Sequence, residues 1–289
     1  MKLYSLTHRR SSAIVGVAKG TFTSSSQEHG FEIVVSHGNA IELIVTDTET
    51  GDFKSLCHQH VFGNIRSMRA HRLFEGKFDY LVLGTDSGKF TILQYNSDKK
   101  RFETQISHTY GHTGCRRTVA GELLASDPEG RAVMLGALEM QKIVYVLSRD
   151  SETPLKLASP IQANENRTLT FDIVGVNVGF ENPTFAAIEL NYGESDRDET
   201  GQAAAVTKKY LTYYELDLSS NSISKKWNEV TERSASRLVA VPGSENGPGG
   251  ILVLGDGNVS YQKPGHPMLS CTLPRRGGST RSAMIVAYD

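Results

Sequence analysis

The stretch Tyr80-Leu81-Val82-Leu83-Gly84-Thr85-Asp86-Ser87-Gly88-Lys89-Phe90-Thr91-Ile92-Leu93-Gln94-Tyr95 decides how the rest of the sequence is interpreted. Its two arms consist mostly of β-branched, aromatic and leucine residues, which is typical of strands. The four residues between the arms include the Asp and Gly that favour a tight turn. The stretch therefore predicts a β-hairpin, in which Leu81, Leu83 and Ile92 lie on the faces of the sheet and contact neighbouring sheets.

The same hairpin pattern recurs four more times along the chain. Taking Ile33, Val82, Val133, Ala186 and Leu252 as equivalent points, the successive spacings are 49, 51, 53 and 66 residues. The predicted strand pairs of the other four copies are 31–35 with 41–45, 132–135 with 143–147, 185–190 with 210–216, and 251–254 with 258–262.

Further strand candidates precede and follow these hairpins, such as 65–73 and 102–109. Four antiparallel strands that repeat at about fifty residues are typical of a β-propeller blade. A β-sandwich is the competing interpretation, but a sandwich has no reason to keep one period through five copies. We therefore predict an all-β fold of four-stranded antiparallel blades with under about a tenth of the residues in helices.

The number of repeats predicts an incomplete ring. Five hairpins and a last strand at 282–288 are fewer than a seven-bladed propeller needs. An open ring leaves an unpaired strand edge that something has to cover. The chain is therefore predicted to be a fragment of a propeller, or a missing segment or a partner completes the ring.

Composition and charge exclude several classes of partner. Lys and Arg number 31 against 32 Asp and Glu, a net charge of −1 that provides no global attraction for nucleic acid or an anionic membrane. The apolar stretches, such as 143–147, are far shorter than the roughly 20 residues of a membrane-spanning helix. The three cysteines are scattered and odd in number, which favours a reducing compartment over a disulfide framework.

Candidate chemical motifs are weak. Asp127-Pro128-Glu129-Gly130 has the residue preferences of a type I turn, and this interpretation outweighs a catalytic Asp127. His58 and His60 share one face of a strand, but no carboxylate or cysteine nearby in the sequence completes a metal site. No motif of a nucleophilic hydrolase or a glycosidase is present. We therefore predict no enzyme activity, no cofactor and no metal.

Two arginine pairs are the best candidates for partner binding. Arg116-Arg117 and Arg275-Arg276 lie between repeats, where loops reach the faces of a propeller, and guanidinium groups suit carboxylate or phosphate recognition. The alternatives are solvated surface arginines, or arginines that tie one blade to the next through carbonyls or carboxylates. The acidic segment 193–200, within the insert 193–208, is predicted to be a mobile surface loop.

Seven segments of the sequence, in order along the chain, resemble the splicing factor 3b subunit three family. That family also includes the large subunit of the UV-damaged-DNA-binding complex and the largest cleavage and polyadenylation specificity subunit. Glu181 and Asn182, within one of these segments, join the arginines as candidate partner-binding residues. The segments are 1–7, 61–67, 114–117, 127–134, 174–183, 212–218 and 241–243.

The resemblance implies an architecture and a role. Members of the family consist of three seven-bladed propellers and a small helical C-terminal domain. Residues 1–289 would therefore be a single N-terminal propeller domain, most of the first propeller, with the remaining blades supplied by later sequence. The implied role is that of a non-catalytic scaffold of splicing factor 3b in the U2 small nuclear ribonucleoprotein, in the nucleus. The implied partners are the HEAT-repeat subunit, the small helical subunit and other U2 particle proteins, with RNA contacted indirectly at most.

Two functions of other classes are left open by the residues. One is a propeller hydrolase with a metal in its central channel, held by carboxylates, Asn or His. The other is a propeller that binds RNA directly through its arginine pairs, which the net charge of −1 disfavours.

Overall fold

The computed structural model describes residues 13–23, 29–73, 76–148, 155–177, 181–243 and 247–274. Within these ranges the chain forms five antiparallel sheets, called here sheets I to V, and one helix of five residues. The chain divides into two compact units at Gly114 and Cys115. The small helical content of the described residues agrees with the prediction from sequence.

The first unit contains sheets I and II. In each sheet the strands pair in the order in which they follow along the chain, as a meander. Buried side chains from both sheets, such as Leu43 and Leu83, form one apolar cluster. Sheet I consists of β1 (Gly16–Gly20), β2 (His29–Ser36), β3 (Ala40–Asp47) and β4 (Phe53–His60). Sheet II consists of β5 (Ile65–His71), β6 (Tyr80–Thr85), β7 (Lys89–Asn96) and β8 (Arg101–Thr109).

The second unit contains sheets III, IV and V. In sheet III the outer position is divided between two short strands, which both pair with the third strand. Sheet III consists of β9 (Leu123–Ser126), β10 (Ala132–Gly136), β11 (Lys142–Ser148), β12 (Lys156–Leu157) and β13 (Ile161–Gln162). Sheet IV consists of β14 (Thr168–Val176), β15 (Thr184–Asn191), β16 (Lys209–Asp217) and β17 (Ser222–Thr231). Sheet V consists of β18 (Arg237–Ala240), β19 (Ile251–Leu254), β20 (Asn258–Gln262) and β21 (Leu269–Thr272).

Sheet IV shows why its strands are apolar at consecutive positions. Phe185 and Ala187 belong to an apolar cluster with residues of sheet III, whereas Ala186 and Ile188 belong to a second cluster with residues of sheet V. Because successive side chains of a strand point to opposite faces, a sheet that is covered on both faces needs apolar residues at every position.

The predicted hairpins are confirmed. In the first one, Leu81 pairs with Leu93 and Val82 pairs with Ile92 across β6 and β7. The side chains of Leu81, Leu83 and Ile92 are completely buried. The other four predicted pairs are β2 with β3, β10 with β11, β15 with β16, and β19 with β20.

A glycine allows sheets III and IV to approach closely. A Cβ atom on Gly175 in β14 would lie 2.0 Å from the carbonyl oxygen of Ser126, at the end of β9. A backbone atom cannot move aside as a flexible side chain can, so any larger residue would force these first strands of the two sheets apart. This contact accounts for Gly175 within the segment 174–183.

The insert at 193–208 contains a short helix and internal hydrogen bonds that its composition does not predict. The helix α1 (Gln202–Val206) ends it, and Asp198 accepts hydrogen bonds from the backbone amides of Thr200 and Ala203 at 2.9 and 2.6 Å. The Ser195 and Thr207 hydroxyl groups form a hydrogen bond of 2.8 Å that closes the loop. Short polar side chains that bond to nearby backbone amides fold such a loop without an apolar core.

Other predictions have mixed outcomes. The turn at 127–130 is confirmed, since the Gly130 amide donates a 2.9 Å hydrogen bond to the Asp127 carbonyl. The last predicted strand, 282–288, lies outside the described residues. In the described part of the chain, no helix has the length and apolar character needed to cross a membrane.

Candidate functional site

Arg116 and Arg117 lie in the connection between β8 and β9, the boundary between two repeats that the sequence predicts. The guanidinium of Arg116 donates two hydrogen bonds to the carboxylate of Glu122, one of them through Nε at 3.0 Å. This contact raises the pKa of Arg116. Half of the Arg116 side chain is exposed, so the group is held in place while one side faces solvent.

Arg117 belongs to a group of three polar side chains that joins sheets III and IV. Its guanidinium and the hydroxyl group of Tyr192 both donate hydrogen bonds to the carboxylate of Glu139. Glu139 lies in the turn between β10 and β11, and Tyr192 directly follows β15. The two donors, Tyr192 first, hold the pKa of Glu139 below its usual range, and the same contact raises the pKa of Tyr192.

These contacts match the structural alternative for Arg117 that the sequence leaves open. Arg117 binds the carboxylate of Glu139 in sheet III, and the same carboxylate binds Tyr192 of sheet IV, so the group connects two neighbouring blades. Its side chain is nevertheless 72% exposed, so the outer part of the guanidinium can contact a partner as well. Partner binding by Arg116 and Arg117 stays a prediction.

Glu181 and Asn182 lie in the connection between β14 and β15. The Asn182 side-chain amide donates a 2.9 Å hydrogen bond to Glu215, whose other carboxylate oxygen lies 2.5 Å from the ammonium of Lys226. The backbone carbonyl of Glu181 accepts a 2.5 Å hydrogen bond from Arg131. The side chain of Glu181 is exposed, so it is free to contact a partner.

Arg131 makes this connection a second tie between sheets III and IV. It binds the carboxylate of Asp127 through Nε at 2.8 Å and Nη2 at 3.1 Å, and it reaches Glu181 of the next sheet through Nη1. Two parallel hydrogen bonds to one carboxylate fix the plane of a guanidinium. The turn at 127–130 therefore has a structural role that also explains the buried aspartate.

The structure places the predicted residues at opposite ends of the sheets. Strand β15 begins next to Asn182 and ends next to Tyr192, and its 8 residues rise about 3.3 Å each, which gives roughly 26 Å between the two groups. A single small ligand cannot contact both groups. Arg275 and Arg276 lie outside the described residues.

A buried ion pair within the second unit was missed by the sequence analysis. The ammonium of Lys142, the first residue of β11, lies 2.7 Å from a carboxylate oxygen of Glu189 in β15, and its side chain is completely buried. The hydroxyl group of Tyr214 donates to the same carboxylate at 2.8 Å. Lys142 and Glu189 are far apart in sequence and follow no motif, so only the packing of sheet III on sheet IV reveals the pair.

A second omission concerns the histidines of sheet I. The sequence does not reveal that Glu42 is the direct cross-strand neighbour of His58. Nε2 of His37 lies 3.3 Å from the same carboxylate. Among the described residues, no group of three His, Cys, Asp or Glu side chains has an arrangement that could hold a metal ion.

A polar cleft of about 550 Å³ lies beside the insert, and we call it the insert cleft. One wall is formed by the insert and the other by the turn that precedes β14. Its lining includes the cations Arg167, Arg197 and Lys208, the carboxylate of Glu194, the amides Asn166 and Asn191, and the phenol of Tyr210. The insert cleft is close to the Arg117 group, since the amide of Tyr192 donates a 2.9 Å hydrogen bond to the carbonyl of Arg167.

Repeated four-stranded antiparallel sheets whose candidate residues lie in the connections between strands define the chain as a β-propeller domain. The chain belongs to the RSE1/DDB1/CPSF1 first beta-propeller family, whose model matches residues 13–289. Both the predicted fold class and the resemblance seen in the sequence are thereby confirmed.

Relatives from animals, plants and fungi resemble the chain over nearly its whole length. It is 45% identical over 277 residues to splicing factor 3B subunit 3 of Danio rerio, a match that covers 96% of this chain and 22% of that protein. It is 45% identical over 276 residues to spliceosome-associated protein 130 A of Arabidopsis thaliana, with the same two shares. It is 38% identical over 280 residues to pre-mRNA-splicing factor rse1 of Neurospora crassa, covering 97% of this chain and 23% of that protein. The chain spans about a fifth of the length of these curated relatives.

Proposed function

We propose that the chain is a non-catalytic protein-interaction scaffold that acts in pre-mRNA splicing as part of splicing factor 3b. The observation that carries this proposal is the 45% identity over 96% of the chain to a protein named splicing factor 3B subunit 3. Relatives named as splicing or spliceosome-associated factors in a plant and a fungus support the same process.

The geometry of the connections suits a scaffold. Arg116, Arg117 and Asn182 each donate to a carboxylate of the chain itself, so their positions are fixed before any partner arrives. Pre-organised side chains lose less conformational entropy on binding, which favours a stable complex. Arginine is also enriched among the residues that contribute most to protein interfaces.

The proposed partners are the HEAT-repeat subunit and the small helical subunit of splicing factor 3b, with other proteins of the U2 particle. Through them the domain would support branch-site recognition, and RNA would be contacted indirectly at most. The proposed compartment is the nucleus. Arg116, Arg117, Glu181 and Asn182 are the proposed contact residues within the described part of the chain, and Arg275 and Arg276 are proposed as contacts outside it.

A nuclear pull-down with a matched pair of variants tests the proposal. The full-length protein that contains this domain is tagged and purified from nuclear extract, and co-purifying proteins are identified by mass spectrometry. We expect Arg116→Ala with Arg117→Ala to weaken recovery of the HEAT-repeat or small helical subunit while circular dichroism stays unchanged. Recovery of no splicing factor 3b subunit by the unaltered protein would contradict the scaffold role.

The control is Lys99→Ala with Arg101→Ala. These two exposed cations, one in the β7–β8 turn and one at the start of β8, bind Glu103 of β8 at 2.7 and 3.5 Å, so the control also removes two ion pairs. We expect its recovery of partners to equal that of the unaltered protein. Unchanged recovery by the Arg116 and Arg117 variant, combined with a lowered melting temperature, would assign these arginines to the fold alone.

A further inference from the structure

We infer that the insert cleft binds an anionic side chain, a carboxylate or a phosphoserine, carried by a peptide segment of a partner protein. The inference rests on the proposed scaffold function and adds the chemistry of one partner contact. It concerns residues outside the sites that the sequence predicts, since only the insert itself was noticed there, as a mobile loop.

The cations of the insert cleft are the first argument. Arg167, Arg197 and Lys208 line it, and none of the three forms an ion pair with another residue that the structure describes. Other arginines of the same unit behave differently, because Arg116, Arg117 and Arg131 each bind a carboxylate. The same lining includes one carboxylate, Glu194, so the three cations leave an excess of positive charge in the insert cleft that an anionic ligand would offset.

The rigidity of the walls is the second argument. Arg167 adopts a positive backbone φ of 53°, and its carbonyl oxygen accepts the hydrogen bond from the Tyr192 amide. The opposite wall is held by the bonds of Asp198 to Thr200 and Ala203, and by Arg233, which donates a 2.9 Å hydrogen bond to the Ala205 carbonyl. These bonds hold the backbone of both walls, so the shape of the insert cleft is formed before a ligand binds, which lowers the entropic cost of binding.

Charges around the insert cleft favour a peptide over RNA. The insert also carries Glu194, Asp196, Asp198 and Glu199, which outnumber its own cations Arg197 and Lys208. A chain of phosphates that crosses the insert would meet these carboxylates in succession, whereas one anionic side chain in the insert cleft would meet Glu194 alone among them. Tyr210 is the only aromatic side chain of the lining, which gives no row of stacking platforms for bases.

Binding of labelled probes to the full 289-residue chain tests the inference. The probes are a lysine-flanked peptide with two central glutamates, the same peptide with glutamines, the same peptide with two phosphoserines, and a single-stranded oligouridine. We expect the glutamate or phosphoserine peptide to bind at least tenfold more tightly than the glutamine peptide, measured by fluorescence anisotropy at low salt. The two anionic arms distinguish a carboxylate ligand from a phosphorylated one.

Charge reversal locates the site. Arg167→Glu with Arg197→Glu and Lys208→Glu should lower the affinity for the anionic peptide at least tenfold. The control reverses three exposed lysines of the other unit, Lys19, Lys54 and Lys77, and changes the net charge by the same amount. If the triple variant does not fold, single Arg197→Glu and Lys208→Glu variants locate the site instead. Each should lower the affinity for the anionic peptide severalfold.

Four outcomes would overturn the inference. They are an equal loss of binding in the control, tighter binding of oligouridine than of either anionic peptide, no preference for the anionic over the glutamine peptide, and no binding of any probe. None of them touches the proposed scaffold function, which depends on recovery of splicing factor 3b subunits. Conversely, selective peptide binding by a protein that recovers none of those subunits would support the insert cleft and contradict the scaffold role.

Discussion

Ile92 is a single residue whose burial follows from the repeated strand pattern of the sequence. It is completely buried in β7, opposite Val82 of β6. We expect Ile92→Ala to lower the free energy of unfolding by about 2 to 5 kcal/mol, because a truncated core side chain loses its transfer free energy and leaves a cavity. Urea unfolding followed by circular dichroism measures the change.

Ile14→Ala is the matched control for this truncation. The same side chain is 59% exposed at position 14, so its loss should change the stability by no more than about 0.5 kcal/mol. A loss within error at Ile92, or an equal loss at both positions, would show that burial at position 92 does not stabilise the fold.

Lys142 and Glu189 form a buried ion pair that the repeat pattern of the sequence does not reveal. Removing one member of a buried ion pair leaves the other charge without compensation, at a typical cost of about 3 to 5 kcal/mol. We expect Lys142→Met to destabilise the chain by about that amount, because Glu189 would keep only its bond from Tyr214.

The double variant Lys142→Met with Glu189→Leu distinguishes the cost of an unpaired charge from the value of the pair. It should recover most of the stability lost by the single variant, since apolar replacements of a buried pair are often neutral. Equal losses in the single and double variants, measured in one double-mutant cycle, would mean that the ion pair itself stabilises the interface between sheets III and IV.

The turn between the third and fourth strands is an element that repeats in three of the sheets. The third strand ends at Asp47, Asn96 or Asp217, whose side chain accepts hydrogen bonds from backbone amides two and three residues later. A residue with positive φ follows in each turn, Gly51 at 74°, Lys100 at 48° and Asn221 at 54°. Asp and Asn favour such turns, and a left-handed residue then returns the chain to the strand.

Gly51→Ala tests the left-handed position of this turn. An added Cβ would have no atom within 4 Å, so the cost is purely conformational. We expect a loss of about 1 kcal/mol, since the strain of a left-handed alanine exceeds the gain from a stiffer unfolded chain. Gly16→Ala in β1 is the control: its φ is not positive and its nearest neighbour would lie 3.5 Å away, so neutral or slightly increased stability is expected. Equal effects of the two changes in thermal unfolding would contradict this account.

For the whole molecule, the sequence predicts the repeated hairpins and the order of the strands, because both are set by residues that lie close together in the chain. Hairpins such as 80–95 are encoded by strand residues and a turn that follow each other directly. Within sheets I, II, IV and V, neighbouring strands are therefore also neighbours in the sequence. The contacts of Glu139 with Tyr192 and of Lys142 with Glu189 join separate sheets, and they depend on how one sheet packs on the next. The insert cleft was not predicted for the same reason, because its walls come from two connections that the sequence separates by the whole of β14 and β15.

Buried tyrosines give the folded chain a predicted alkaline limit. Burial raises the pKa of Tyr145 to about 12, and it raises the pKa values of Tyr213 and Tyr214 as well, with the Glu189 carboxylate adding to the effect at Tyr214. In the unfolded chain a tyrosine ionises near pH 10. Above that pH the unfolded state releases phenolic protons that the folded state retains, so stability falls as the pH rises from about 10 to about 12.

Tyr145→Phe should make that decline shallower. The variant removes one group whose folded and unfolded pKa values differ, which corresponds to about 1 to 2 kcal/mol of stability at the upper end of the interval. Urea midpoints of both chains measured at several pH values between about 8 and about 11 provide the comparison. The ultraviolet absorbance of phenolate supplies a second readout, because the buried tyrosines should ionise only as the sheets unfold. Simultaneous ionisation of all 11 tyrosines near pH 10, with the circular dichroism of the folded chain unchanged, would contradict the prediction.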